Sequence, residues 1–252
     1  MNDLYAMTWT IFALGAICAG FIQGLTGFAF ALIAMSFWVW VLSPQLAAPL
    51  VVFASVWCHL ISLAQDQQHS RFSAKHLLLP YIIAGIVGIP LGSFLLQHIN
   101  HNSFKILLGL FLVLWSPLMW FAPRLAKIEH AGRGADVAIG FIGGILGGLG
   151  GFSGSVPSAW LMLKNLPKQQ QRYILRHFNF AIQIFTIALY LWQGTIQLQQ
   201  WPYFLSIMLF VSIPAILGAR LFYKISEQQF KRIILALLFA SGCFLTLSVV
   251  VL

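Results

Sequence analysis

Residues 143–157 read GGILGGLGGFSGSVP, with seven glycines, two serines and a proline in fifteen positions. So many helix-breaking residues in one place, inside an otherwise apolar chain, ask what the break is for. The surrounding composition narrows the answer. Of 252 residues, 60% are hydrophobic and 8% are formally charged, and the mean hydropathy is +0.88. A soluble domain carries about a quarter charged residues because its surface meets water. This chain cannot cover a globule with so few, so lipid must solvate most of its outside. An all-α integral membrane protein is expected.

The net charge of +9 does not require a polyanion. The basic residues are sparse and sit between apolar runs, as loop lysines and arginines do under the positive-inside rule. No nucleic-acid partner is expected. Cys18, Cys58 and Cys243 lie inside apolar runs without a CxxC or a His/Cys cluster, so they read as small core residues, neither disulfides nor metal ligands. No cofactor is expected. The start, MNDLYAMTWT, lacks the cationic region and cleavage site of a signal peptide, and the first apolar run is expected to be retained.

A spanning helix needs about 20 apolar residues. Apolar segments fall at 9–24, 28–42, 46–64, 76–97, 104–121, 136–150, 153–163, 173–192, 201–222 and 229–251. The second, sixth and seventh are short for a crossing. In each half the first two are separated only by a glycine cluster, so each pair reads as a broken helix or a hairpin, giving eight to ten spanning or half-membrane helices. Basic residues place several loops in the cytoplasm: Arg71 and Lys75; Arg124, Lys127 and Arg133; Lys164, Lys168 and Arg172; Arg220, Lys224, Lys231 and Arg232. The stretches 42–45 and 193–200 carry no basic residue and read as external. Lys105 is an exception on the external side, where it can snorkel. Threaded this way, both termini lie outside.

The chain also repeats weakly. GFIQGLTGF (20–28) aligns with GILGGLGGF (144–152), matching Gly20 with Gly144, Gly24 with Gly148, Gly27 with Gly151 and Phe28 with Phe152. Ile89-Pro90 resembles Ile213-Pro214 at nearly the same offset. Loop charges send 46–64 inward and its counterpart 173–192 outward, with the same reversal for the later segments. Halves 1–126 and 127–252 therefore read as an inverted repeat, an architecture that places a transport site at the repeat interface.

A break in a helix survives in a membrane only inside protein or beside a water-filled cavity. The helix that restarts beyond it offers free N–H groups and a positive dipole end, which suit an anion. At the second restart the donors are Gly151, Ser153, Gly154, Ser155 and Ser158; Gln23, Thr26 and Gly27 are the counterparts at the first. Close packing is the competing explanation, and Gly140, Gly144 and Gly148 fit its small-xxx-small spacing. It does not account for Ser153, Pro157 or the recurrence at Gly24–Gly27. Ser55 and His59, one turn apart on one helix face, match Asn179 and Gln183 at the same offset. An ionisable residue within a span is a functional candidate, though a buried histidine also serves as core. All five acids lie in loops or at segment ends, which leaves His59 as the central titratable group and points to an anionic solute. Arg172 and Arg176 begin the segment after the second break, either as an anion vestibule or as plain positive-inside anchors.

The stretch GGLGGFSGSVPSAWLMLKNLPKQQQRYILRHFNFAIQI (147–184) resembles the second-half signature of the TauE/SafE sulfite exporter family of permeases. That signature is a Gly-rich turn, Gly-Phe-Ser-Gly-Pro, an apolar stretch, a basic loop and Gln-x-x-Arg. GFIQGLTGFAFALIA (20–34) resembles the family's first motif. The resemblance covers nearly the whole chain. It implies a cytoplasmic-membrane permease for sulfite, a sulfonate or another small organic anion, with Gly151, Phe152, Ser153, Gly154 and Arg172 on the motif positions. Ser155 departs from it, standing where the family often has proline. The partners expected are the lipid bilayer and a small anionic solute; a homo-oligomer is left open. The rival readings are a passive anion channel, a membrane scaffold without solute, and an intramembrane enzyme. The last lacks a nucleophile–base pair, since Cys58 faces roughly 100° away from His59 on a helix, and no HExxH is present.

Overall fold

Long apolar runs bounded by proline, glycine or charge become helices because no other backbone satisfies its own hydrogen bonds in lipid. A computed structural model describes residues 2–65, 75–121, 132–164, 166, 168–197, 200–221 and 227–250. Among them are ten helices and no strand: α1 Asn2–Thr26, α2 Phe30–Trp38, α3 Pro44–Gln65, α4 Lys75–His98, α5 His101–Phe121, α6 Arg133–Gly150, α7 Ser155–Leu163, α8 Lys168–Trp192, α9 Trp201–Leu221 and α10 Glu227–Val250. Six contain stretches long and apolar enough to cross a bilayer, in α1, α3, α4, α5, α8 and α9. The chain is a multi-pass membrane protein. Its lipid-facing surface shows in the outward stripes Leu79, Ile83, Val87 and Leu91 on α4 and Leu205, Leu209, Ile213 and Leu217 on α9, all exposed.

Both breaks stand where the glycines predict. α1 stops at Gly27 (φ +83°) and α6 at Gly151 (φ +79°), each in the left-handed conformation that a glycine adopts without a Cβ clash. These two positions are partners in the sequence alignment of the halves. Beyond them α2 and α7 are nine residues each, about 13 Å of helix and so half a membrane.

The helices then pack in crossed pairs. α4 lies on α6 as α9 lies on α1; α3 touches both α8 and α9 as α8 touches both α3 and α4; α5 packs on α10. α4 and α6 run parallel at backbone contact. A Cβ on Gly140 would meet Tyr81, one on Gly144 the carbonyl of Gly85, and one on Gly148 the carbonyl of Ile89. Gly24 and Gly218 make the same approach between α1 and α9. Close packing therefore accounts for part of the glycine cluster, as small residues do between membrane helices. Another part faces elsewhere: Gly143 and Gly147 point at Ser153, Phe178 and Ile182. Helical periodicity thus divides one glycine-rich helix between a packing face and a face toward the break. At the end containing 42–45 and 193–197, Lys105 Nζ sits 4.8 Å from the Trp40 ring centroid, a cation–π seat for the basic residue out of place in the charge pattern.

Candidate functional site

Gln23, in the last turn of α1, ties the first break together. Its Oε1 accepts the N–H of Phe30, the first residue of α2, at 3.0 Å. That bond fixes the amide orientation, so Nε2 is the donor to Ser55 Oγ at 3.2 Å and to His59 Nε2 at 3.0 Å. His59 Nε2 must then be an acceptor, which puts the ring proton on Nδ1. Gln23, Ser55 and His59 are each 1% exposed. Thr26 donates to Ile22 O at 2.9 Å and accepts from Phe28 N–H at 3.5 Å, so it finishes α1. Gly27 is half-buried, with no atom within 4 Å of where a Cβ would stand. The first turn therefore borders open space.

The second break is built differently. Ser153 Oγ donates to Asn179 Oδ1 at 2.9 Å. Ser155 Oγ donates to Phe152 O at 2.6 Å and Ser158 Oγ to Ser155 O at 2.7 Å, so these two hydroxyls shape the restart itself. Ser155 N–H is also bonded, to Phe152 O at 3.1 Å. The bare amides expected at the restarts are thus partly occupied: a glutamine caps α2, and a turn closes α7. Side-chain donors face the centre instead. Gly151 is packed by Val51, Val52 and Ala31.

The breaks meet. A Cβ on Gly154 would lie 2.9 Å from the Cβ of Phe28 and against the Asn179 amide. Across from them the His59 ring stands 6.1 Å from that of Phe180, which brings α3 against α8. On α8, Arg176, Asn179, Gln183, Thr186 and Tyr190 are all buried and recur at intervals of three and four, which is one helix face. Asn179 Nδ2 and Gln183 Oε1 are buried without a hydrogen-bond partner among the described residues. Such orphans cost about 1–3 kcal/mol each, so they mark a place where something else supplies the bond. Arg176 is buried on this face; the Arg172 side chain lies outside the described residues. Thr186 and Tyr190 escaped the sequence reading, although the polar period from Arg176 onward would have found them. Thr186 donates to Ile182 O at 2.8 Å, and Tyr190 to Gly148 O at 2.6 Å.

A second polar cluster pins the other end of the α6–α7 hairpin. Asp136 Oδ1 accepts from Tyr81 Oη at 2.5 Å, Trp160 Nε1 at 2.8 Å and Lys164 Nζ at 2.9 Å, while Oδ2 takes Lys164 Nζ at 2.7 Å. The side chains of Lys164 and Asp136 are 13% and 7% exposed. Lys164, read from sequence as a loop charge, is a structural partner. Replacing it by methionine strands the carboxylate with neutral donors only, at a cost of about 3 kcal/mol. The expected result is a lower thermal midpoint for Lys164→Met, partly restored in the Lys164→Met/Asp136→Asn double variant.

Comparison with curated proteins and with solved structures returns no match. The profile of the family described as "Sulfite exporter TauE/SafE" matches residues 12–245, which takes in both breaks, both halves of the polar centre and the Asp136 clasp. The chain belongs to the sulfite exporter TauE/SafE family of membrane permeases.

Proposed function

We propose that the protein is a secondary permease for a small anion, a sulfur oxyanion or an organosulfonate, bound where the two restarts meet. Halves 1–126 and 127–252 are oppositely inserted copies in the cytoplasmic membrane with both termini external, and their rocking exposes the centre to alternate sides. The observation that carries this reading is the donor excess at the centre. Asn179 Nδ2 is an orphan donor. The tautomer set by Gln23 puts a proton on His59 Nδ1, and Ser55, whose oxygen accepts from Gln23, keeps its hydroxyl hydrogen. No carboxylate lies among them, and Arg176 is one turn from Asn179 on the same buried face. Donors with positive charge nearby stabilise an anion. The crossed packing of the helices and the two matched left-handed glycines support the repeat.

The site residues are closed to solvent, at 0–2% exposure for Ser153, Asn179 and Gln183, as an occluded state requires and an open channel does not. Anion flux into proteoliposomes is therefore expected to saturate with concentration. Ser153→Ala, which removes the hydroxyl from Asn179, and Gly154→Ala, whose Cβ presses on the Asn179 amide, are expected to lower it strongly while the purified variants stay monodisperse. Flux that survives both substitutions would place the site elsewhere, and flux that rises linearly without limit would make the protein a channel.

A further inference from the structure

Resting on the permease reading above, we infer that the solute passes between the centre and the external side through a glutamine-lined mouth between α3 and α8, and that Tyr190 closes it. The mouth is a cavity of about 320 Å³, lined by Ser43, Gln45, Gln97, Gln193, Thr195 and Gln200 among others. Gln45, in the first turn of α3, donates through Nε2 to Leu96 O at 3.1 Å and to Ile99 O at 3.0 Å, which ties the start of α3 to the end of α4 as one wall. Two helix faces lead from there to the centre. On α8 the polar spacing Arg176, Asn179, Gln183, Thr186, Tyr190 continues to Gln193, whose N–H still bonds to Leu189 O at 2.9 Å and so keeps the helical turn. On α3, Gln45, Ala48, Val52, Ser55 and His59 recur at three and four and share one face. Gln45 stands ten residues from Ser55 and Gln193 ten from Gln183, about 15 Å along each helix. α3 and α8 pack on each other, so the two faces border the same interval. Its side chains are small except one: Ala48, Val52 and Thr186 against Tyr190, all fully buried. Tyr190 Oη donates to Gly148 O at 2.6 Å. One turn on, Gln193 Oε1 accepts from Ser93 Oγ at 2.5 Å and from Gln97 Nε2 at 2.9 Å; reversing both amides joins the same three side chains. A Cβ on Gly148 would lie 3.0 Å from Ser93 N, so both ties fasten the end of α8 to one place on the α4–α6 pair. The fastening uses neutral groups only, whose bonds exchange with water at little net cost. The described lining of the mouth carries no charge either, so an anion meets donors there without being held, as passage requires.

The test blocks the mouth at a distance from the centre. Thr195→Cys is labelled in detergent with a bulky, water-soluble maleimide, freed of excess reagent and reconstituted, and its flux of sulfite and of ethanesulfonate is compared with that of the same variant unlabelled. The wild type, with its native cysteines, and Asn102→Cys, exposed near the start of α5 and off the cavity, are carried through the same labelling. Labelling at 195 is expected to stop flux, and labelling of the two controls to leave it unchanged. Binding of both anions to labelled Thr195→Cys in detergent is expected to persist, because the centre is still reached from the other side. Flux that continues past the label at 195 overturns the inference and leaves the anion site standing. Loss of binding together with flux makes the cavity part of the centre and overturns a separate mouth. The gate is read by the rate at which Thr186→Cys, one turn below Tyr190 on the same face, reacts with a small maleimide. Tyr190→Phe is expected to raise that rate about fivefold, the ratio for one net hydrogen bond lost from the closed state; an unchanged rate removes Tyr190 as the gate. Binding of neither anion to the unlabelled wild type, with no flux of any small anion, overturns the permease reading itself and this inference with it. Each measurement stands without the other, so the inference stays exposed even if one variant fails to fold.

Discussion

Alanine at Gly144 is expected to cost the protein its fold. The added Cβ would fall on the carbonyl of Gly85, and the equivalent change at Gly92 would fall on the carbonyl of Ile145. Neither obstacle is a side chain that can rotate away. α4 and α6 run side by side through successive contacts of this kind, at Gly140, Gly144 and Gly148 from one side and Gly88 and Gly92 from the other. One methyl group therefore separates the pair along its length, and dispersion contacts fall off steeply over an ångström. The loss exceeds the 1–3 kcal/mol typical of overpacking, roughly speaking, because backbone and not side chains must move. Neither variant is expected to elute as a monodisperse peak in detergent. Gly134→Ala is the control: it lies in the first turn of α6 with nothing within 4 Å of the new Cβ, and gains about 0.5–1 kcal/mol from helix propensity. Gly147→Ala separates the two faces of the helix. Its Cβ would press on side-chain atoms, Ile182 Cγ2 at 2.7 Å and Ser153 Cβ at 3.1 Å, and meet backbone only at ordinary contact, Ser153 Cα at 3.8 Å, so a folded protein with reduced flux is expected, through the displaced Ser153 hydroxyl.

That division of labour within one glycine cluster marks how far the sequence could be read. The ten apolar segments and both breaks were legible, because glycine density, segment length and loop charge are local properties that survive in any fold of this chain. Gly27 and Gly151, aligned with each other in the sequence, both turn out left-handed. Helical spacing put Ser55 with His59 and Asn179 with Gln183, and all four are buried at the centre. What each of them bonds to was not legible. Pseudo-symmetry suggests like partners for Ser55 and Asn179. Instead Ser55 is held by Gln23 from α1, and Asn179 by Ser153 from the turn. Such bonds join residues 26 to 36 positions apart and depend on how each helix is rotated about its axis, which a weak repeat does not encode. Asp136 escaped for a related reason. Near the end of an apolar segment it looks like a loop acid, and only the return of α7 brings Trp160 and Lys164 over it.

Gln23→Glu is expected to keep the fold and lose the anion. A carboxylate still accepts the Phe30 N–H that Gln23 Oε1 accepts at 3.0 Å. Its second oxygen turns the rest of the network around. Ser55 now donates to it, and His59 places its ring proton on Nε2 to do the same, so no buried group is left unmatched. The thermal midpoint is expected to fall, because a carboxylate at this 1% exposed position has neutral donors only, as Asp136 does in Lys164→Met, at a cost of about 3 kcal/mol; the variant is still expected to elute as a monodisperse peak. The centre, however, gains a negative charge and loses the Ser55 and His59 donors that faced it. Two like charges about 5 Å apart repel by about 3 kcal/mol at an effective dielectric of 20, and anion flux is expected to fall by about 100-fold or more. Gln23→Leu does the opposite test. It leaves Phe30 N–H, Ser55 and His59 without their shared partner, at about 1–3 kcal/mol for each buried group, and α2 is then tied to α1 at its far end, where Trp38 Nε1 donates to Phe12 O at 3.1 Å. A lowered midpoint is expected before any effect on flux is considered. If the leucine variant is as stable as the wild type, Gln23 does not hold the first break. If the glutamate variant transports anions as well as the wild type, the solute passes elsewhere. If it gains uptake of a cation instead, the charge assigned to the solute has the wrong sign.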